Sequence, residues 1–171
     1  MIAVADAGPL NYLVQIGAAD LLRLLYAQVI LPDAVLHELQ HPRAPDAVRA
    51  WVADLPMWVI TRPNPPDDAS PGDLDPGERA VIAIAAAIGA DRVLMDEWEG
   101  RLAAERRSLP VTGTLGILAE SDLLGLCDFE AMLLRLRLTN FHVSDKVVQQ
   151  IREKLQREHA ARPTTRPGFG P

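Results

Sequence analysis

Residues 74–96, LDPGERAVIAIAAAIGADRVLMD, decide the fold because they join a capped helix directly to a buried strand. Asp75 can cap this helix, Pro76 suits its first position, and Glu78 completes a capping box. Gly89 ends the alanine-rich helix, since glycine readily adopts the left-handed backbone found at helix ends. The run DRVLMD is short and mainly apolar, as in a buried strand. A helix that leads at once into such a strand indicates an α/β fold.

The same alternation extends in both directions along the chain. Helices are predicted at 10–26, 32–39, 45–54, 97–108 and 114–125, and over the remainder up to about residue 160. Further strands are predicted for IAVAD (2–6), QVIL (28–31), MWVIT (57–61) and LPVTG (109–113). Strands that alternate with helices predict a parallel sheet with helices on both faces. We expect one domain over residues 1–160, followed by a flexible tail over 161–171.

Composition narrows the class of protein. Hydrophobic residues make up 49% of the 171-residue chain and aromatic residues only 5%, which favours a core of aliphatic side chains. The single cysteine, Cys127, excludes an intramolecular disulfide. No apolar run reaches the roughly 18–20 residues that a membrane helix needs. The first ten residues, MIAVADAGPL, lack the basic and long apolar regions of a signal peptide, so we expect a cytoplasmic protein.

Charge is distributed unevenly along the chain. The overall net charge is −6, yet residues 135–171 carry eight Lys or Arg against three acids. Residues 1–134 consequently hold the remaining nine bases and twenty acids. A basic segment attached to an acidic body could contact phosphates or an acidic partner. A solvated helix with a charged tail explains the same pattern, and charge alone does not choose between them.

Acidic residues occupy positions that the predicted sheet would bring to one edge. Asp6 ends the first strand and Asp96 ends DRVLMD, so both belong at the carboxyl edge, where open α/β sheets bind ligands. Glu38 lies on the helix after the second strand, Glu78 in a first helical turn, and Glu97 directly after Asp96. Carboxylates gathered in this way would repel one another unless a cation such as Mg²⁺ or Mn²⁺ lay between them.

Each acid also has a purely structural explanation. Asp6 precedes Ala7-Gly8-Pro9 and could serve a turn or a cap. The spacing of Asp96 to Glu99 repeats the capping-box spacing of Asp75 to Glu78. Glu38 could be an ordinary solvated glutamate. The joint pattern, rather than any single residue, favours a metal site.

Four motifs in order resemble a known family. They are DAGPL (6–10), ILPDAVLHEL (30–39), LDPGERAVIAIA (74–85) and VLMDEWEGRLAAERRSLPVTGTLGIL (93–118). The series resembles PIN-domain nucleases, and within them a prokaryotic branch akin to VapC-type toxins. The likeness extends from residue 1 to about 150. Typical PIN toxins have aspartate where this chain has Glu78, although a Gly-Glu pair is usual in the branch.

This resemblance implies an α/β/α sandwich that hydrolyses single-stranded RNA with one or two Mg²⁺ or Mn²⁺ ions. Asp6, Glu38, Glu78 and Asp96 match the positions of the metal-binding catalytic acids. Glu97 matches a position where a further acid supports them without binding the metal. The resemblance also implies a role as the toxin of a toxin–antitoxin pair, with a small antitoxin protein as partner.

Residues around the predicted site could assist. Thr112 and Thr114 flank a strand-to-helix turn where they could support the metal site, although a simple helix cap explains them as well. The arginines of the helix after Asp96 could steer an RNA backbone; they are Arg101, Arg106 and Arg107. Arg101 could instead pair with Glu97 one turn away. The four histidines lack metal-ligand spacing, and Trp98 is expected to pack against the core.

The early helices predict a homodimer. Leu13, Leu21, Leu24 and Leu25 form an apolar series larger than one core is expected to cover. A second copy of the chain could cover the excess.

Two other functions compete with the nuclease. A phosphoacceptor receiver domain also places acids around Mg²⁺, but it needs a lysine near them, and this chain has only Lys146 and Lys154, both in the last helix. A catalytically silent PIN-like module that binds or regulates is the stronger rival. The acidic loop with Asp67, Asp68, Asp73 and Asp75 could repel RNA.

Overall fold

A computed structural model describes residues 1–66 and 74–161. Its centre is a five-stranded sheet with strand order β3-β2-β1-β4-β5, in which every neighbouring pair is parallel. The strands are β1 (Ile2–Ala5), β2 (Gln28–Pro32), β3 (Val59–Arg62), β4 (Arg92–Leu94) and β5 (Val111–Thr112). Helices flank this sheet, which confirms the predicted α/β/α class.

Nine helices connect and cover the strands within the described residues. They are α1 (Ala7–Gln15), α2 (Leu21–Leu25), α3 (Asp33–Leu39), α4 (Asp46–Ala53), α5 (Pro76–Ile88), α6 (Trp98–Arg106), α7 (Thr114–Leu123), α8 (Phe129–Leu136) and α9 (Asp145–Ala161). The strand β1 is fully buried at Ala3, Val4 and Ala5, as its unbroken apolar sequence predicts. No helix in residues 1–66 and 74–161 has the length and apolar character needed to cross a membrane.

The prediction of one helix over residues 10–26 is wrong, because the chain forms two helices there, α1 and α2. The break lies at Gly17, whose φ of 71° is left-handed, and the N–H of Ala18 donates to the carbonyl of Leu13 at 2.7 Å. This is the usual ending of a helix at glycine, and α2 then starts at Leu21. The C-terminal third is likewise two helices, α8 and α9, instead of continuous helix.

Burial along α1 and α2 weakens the sequence argument for a homodimer. Leu13, Leu21 and Leu25 are buried inside the chain, and only Leu24 is well exposed, at 53%. The apolar series is therefore mostly covered by the protein's own core. Dimer formation stays a prediction without that support.

The strand order creates a switch point between β1 and β4. From β1 the chain proceeds to β2 and β3 on one side, and later to β4 and β5 on the other. Connections leave a parallel sheet in opposite directions at such a point and open a crevice at the carboxyl ends of the strands. Asp6 and Asp96 follow the two strands that border this crevice.

Candidate active site

Asp6 lies at the start of the crevice, directly after β1. Its backbone N–H donates to the carbonyl of Leu94 at 2.9 Å, which extends the pairing of β1 with β4 by one residue. The residue is only 5% exposed, yet its side chain makes no capping hydrogen bond to α1. A cap is therefore not what holds this buried carboxylate in place.

Asp96 is held by the beginning of α7. The N–H of Thr114 donates to Asp96 Oδ1 at 2.8 Å, and the Thr114 hydroxyl donates to Oδ2 at 2.6 Å. The capping box suggested by Asp96 and Glu99 does not form, because α6 begins at Trp98 with Glu97 in the capping position. Asp96 therefore ties the end of β4 to a helix that starts 18 residues later.

Glu78 forms the capping box that the sequence predicts. Its Oε2 accepts from the N–H of Asp75 at 3.0 Å, and Asp75 Oδ1 accepts from the N–H of Glu78 at 2.8 Å. Glu78 is also 6% exposed, which is unusual for a glutamate that only caps a helix. Its second oxygen, Oε1, faces Gly100, where a Cβ atom would stand 2.5 Å away. The capping box thus uses only Oε2 of Glu78, and Oε1 lies beside α6.

Glu38 is the most exposed of the four matched acids and lies on α3. Partial burial of the carboxyl raises its pKa, and the charges of Asp75 and Glu78 raise it further. Because charges act in this way only over short distances, Glu38 belongs to the same electrostatic group.

The pKa of Asp6 is raised to about 7. Burial is the largest cause, and the charges of Asp75, Glu38 and Glu78 add to it, while the N–H of Ala7 acts in the opposite direction. Burial likewise raises the pKa of Glu78 and of Asp96. The hydrogen bonds from Thr114 and the charge of Arg101 lower the pKa of Asp96 in part. The crevice thus holds acids whose ionised forms lack sufficient compensation.

Two glycines let helical turns approach these acids closely. A Cβ atom on Gly8, in α1, would lie 3.4 Å from Asp96 Oδ2. A Cβ atom on Gly77, in α5, would lie 3.5 Å from Asp6 Oδ1 and 3.2 Å from Asp75 Oδ1. The two helices therefore begin beside the carboxylates, where their N-terminal partial positive charge favours anions.

Asp75 is the acid whose importance at this site the sequence did not reveal. Its role as the cap of α5 is confirmed, but its charge also raises the pKa of Asp6, Glu38 and Glu78. The available signal was its position three residues before Glu78. A capping box fully explained that spacing, which hid the second role.

The donor set suits a divalent cation in chemistry and in charge. Carboxylate oxygens are the ligands that Mg²⁺ and Mn²⁺ prefer, and a cation would offset the mutual repulsion that raises these pKa values. Within residues 1–66 and 74–161, however, no three acidic, histidine or cysteine side chains are already arranged to hold a metal ion. Binding would require the carboxylates to close around the ion.

The predicted supporting residues divide into two groups. Thr114 bonds to Asp96 as described, and the carbonyl of Thr112 accepts from the N–H of Met95 at 2.9 Å. Glu97 is exposed, and its charge raises the pKa of Glu78 and of Tyr12. These residues therefore surround the crevice.

Of the three arginines, only Arg101 lies beside the crevice. Its guanidinium donates to the carbonyl of Met95 at 2.8 Å and does not pair with Glu97. Arg106 and Arg107 are exposed at the far end of α6. Arg106 lies about 12 Å along the helix axis from Trp98, given 1.5 Å per residue. Their contact with RNA stays a prediction.

A cavity of about 640 Å³ opens beside Asp96. Its wall includes Tyr12, Trp98, Arg101, Asn140, Phe141 and His142. The expectation that Trp98 packs against the core is wrong, because this residue is 72% exposed. It is the first residue of α6.

Comparison with known proteins adds one finding. A family model described as a PIN domain matches residues 2–157. No curated protein and no solved structure gives a significant match. The matched range contains every strand of the sheet, the four matched acids and the crevice between β1 and β4. The chain therefore belongs to the PIN-domain family.

Proposed function

We propose that this protein is a metal-dependent endoribonuclease that hydrolyses RNA phosphodiester bonds at the crevice between β1 and β4. PIN domains are generally nucleases. The observation that carries the proposal is the buried set of acids at the switch point, above all Asp6, which is 5% exposed and makes no capping hydrogen bond to α1. Such an arrangement destabilises the fold when it is ionised, and a bound cation would remove that penalty.

Asp6, Glu38, Glu78 and Asp96 are the proposed ligands of one or two ions. A bound Mg²⁺ or Mn²⁺ supplies the Lewis acidity that activates water and offsets charge on the phosphate. The protein's own contribution is orientation. Thr114 fixes both oxygens of Asp96, and Asp75 fixes one oxygen of Glu78.

The biological setting belongs to the same proposal. The VapC-like motifs support a role as the toxin of a toxin–antitoxin pair, with a small antitoxin protein as partner. We also propose that the protein forms a homodimer. Leu24 is the exposed apolar residue of the early helices that a second copy of the chain would cover. Expression should slow growth, a co-encoded small protein should relieve it, and light scattering should show twice the monomer mass.

Metal-dependent cleavage tests the enzyme directly. We expect the purified chain to cleave a structured RNA pool with Mg²⁺ or Mn²⁺ and to stop in EDTA. Asp6→Asn and Asp96→Asn should each lose more than about 100-fold in rate, since even residues that only support metal ligands are worth about 10–100-fold. Asp46→Asn, at an exposed acid on α4, is the matched control and should cleave normally. Equal activity in all three variants would remove the proposal.

The strongest alternative is a PIN-like module that binds without cleaving. The absence of a preformed group of three metal-binding side chains in the described part of the chain favours it. Asp67, Asp68 and Asp73 of the acidic loop, expected to repel RNA, lie outside the described residues. A wild-type protein that binds RNA and Mn²⁺ but never cleaves would establish this alternative.

A further inference from the structure

The cavity beside Asp96 has walls of a distinctive kind. Tyr12 and Phe141 meet edge to face, with ring centroids 4.8 Å apart and an interplanar angle of 82°. Phe141 comes from the segment between α8 and α9, so this contact links that segment to α1. Trp98 adds a third aromatic ring, and it is 72% exposed. Apolar side chains that are grouped at the surface, as these three rings are, commonly mark a binding site.

Polar groups border the same cavity. Asn140 and His142 are exposed, and in the described part of the chain neither side chain makes a hydrogen bond. Arg101 is held in place by its bond to the Met95 carbonyl. An amide, an imidazole and a guanidinium can between them donate to and accept from the edge of a planar heterocycle.

The cavity is continuous with the proposed cleavage site. Asp96 and Glu97 both line it, and burial together with the charges of these two acids raises the pKa of the Tyr12 phenol. Its volume of about 640 Å³ lies within the roughly 300–1,000 Å³ typical of small-molecule pockets. The volume of the cavity is therefore large enough for one nucleotide beside Asp96.

We propose that this cavity is a pocket for one unpaired nucleobase of the RNA strand, adjacent to the phosphate that is cut. The proposal rests on the nuclease function, for which the resemblance already implies single-stranded RNA, and it assigns the base next to the cut to this cavity. Trp98 offers its ring face for stacking, and Asn140 offers the amide that reads the base edge. Proteins recognise single-stranded RNA by stacking exposed bases on aromatic side chains. A base inside a duplex cannot enter, because it is already stacked and paired.

Binding measured without cleavage tests the pocket. The full chain in EDTA is titrated with a labelled single-stranded RNA 12-mer, with the same RNA as a duplex, and with free adenosine monophosphate. We expect the single strand to bind best. Trp98→Ala should weaken that binding about 30-fold, the middle of the range for loss of one stacked base. Asn140→Ala should shift the preference among homopolymeric strands.

Controls separate this proposal from the nuclease proposal. Leu134→Ala changes another exposed apolar residue, on α8, and should bind like the wild type. RNA should also quench tryptophan fluorescence in the wild type and not in Trp98→Phe, in which Trp51 and Trp58 remain. Wild-type binding by Trp98→Ala, or equal affinity for duplex, single strand and free nucleotide, would overturn the pocket. If the pocket binds RNA but no metal supports cleavage, the nuclease proposal alone fails.

Discussion

At the carboxyl edge of the sheet the pKa of Asp6 is raised to about 7, whereas on α8 the pKa of Glu130 is lowered. Glu130 accepts two hydrogen bonds from the Arg152 guanidinium, each 2.7 Å long. Asp122 is similarly satisfied, by His159 at 2.6 Å and by the N–H of Phe129 at 2.9 Å. In one region the partners of the acids satisfy their charge, and in the other burial outweighs the hydrogen bonds that Asp6, Glu78 and Asp96 accept.

The difference between these two groups of acids shows which acids are arranged for stability and which are arranged for function. Exposed ion pairs contribute little to stability, but they do not oppose folding. Buried carboxylates near like charges do oppose it, and the fold nevertheless brings Asp6, Glu78 and Asp96 to one crevice. An electrostatic cost of this kind is typical of functional sites, and here it would serve the binding of a cation.

Removal of the Asp6 charge should give the largest effect. The folded pKa of about 7 lies above the ordinary 3.8, so ionisation opposes folding. The penalty is absent below pH 4, develops between pH 4 and 7, and is complete above pH 7. In EDTA at pH 8, Asp6→Asn should therefore be more stable than the wild type by up to about 4 kcal/mol, at 1.36 kcal/mol per pKa unit. Urea denaturation of both proteins measures this difference in the free energy of unfolding.

Two further conditions sharpen that result. At pH 4 the advantage of Asp6→Asn should nearly vanish, because Asp6 is then protonated in the folded wild type. Addition of Mn²⁺ at pH 8 should raise the melting temperature of the wild type and not of the variant. A variant that is less stable than the wild type at pH 8 would contradict the raised pKa.

Thr114→Val tests how the protein holds Asp96. The substitution keeps the shape of a fully buried side chain and removes the hydroxyl that donates to Asp96 Oδ2. Hydrogen bonds to charged groups are worth about 1.5–3 kcal/mol, and we expect a loss of stability in that range. The pKa of Asp96 should also rise, so metal-dependent activity should require a higher pH. Unchanged stability and pH profile would mean that the N–H of Thr114 alone positions Asp96.

Gly113→Ala and Gly8→Ala test packing on opposite sides of the same carboxyl. A Cβ atom on Gly113 would lie 2.5 Å from Asp96 Oδ1 and 3.3 Å from the Met95 carbonyl oxygen. A Cβ atom on Gly8 would meet Asp96 Oδ2 at an acceptable 3.4 Å. Overpacking at Gly113 should cost about 1–3 kcal/mol and lower activity, while Gly8→Ala should be tolerated. Equal effects of the two changes, in melting temperature and cleavage rate, would show that Asp96 is free to move.

Local patterns predicted the parts of the fold that local chemistry controls. The capping box of Asp75 and Glu78, the stop at Gly89 and the buried run of β1 all appear where the sequence placed them. These features depend on residues a few positions apart. Alternation of apolar strands with helices then sufficed for the α/β/α class.

Tertiary contacts produced the features that the sequence did not reveal. The bond between Asp96 and Thr114 joins residues 18 positions apart, and the local capping spacing to Glu99 suggested a different partner. The exposure of Trp98 depends on which elements pack against the start of α6, and no local pattern specifies that. The break at Gly17 was present in the sequence, but the leucines on both sides of it suggested one continuous helix.

Glu130→Gln should have the smallest effect and tests the opposite side of the comparison. Glu130 and Arg152 are both well exposed, with side-chain exposures of 53% and 37%, so water and salt screen their attraction. We expect little change in melting temperature, a difference that shrinks further in high salt, and unchanged RNA cleavage. A loss of stability as large as that of Thr114→Val would mean that pairing on α8 and α9 is as structurally important as the acids of the crevice. A loss of cleavage would place part of the RNA-binding surface on these helices.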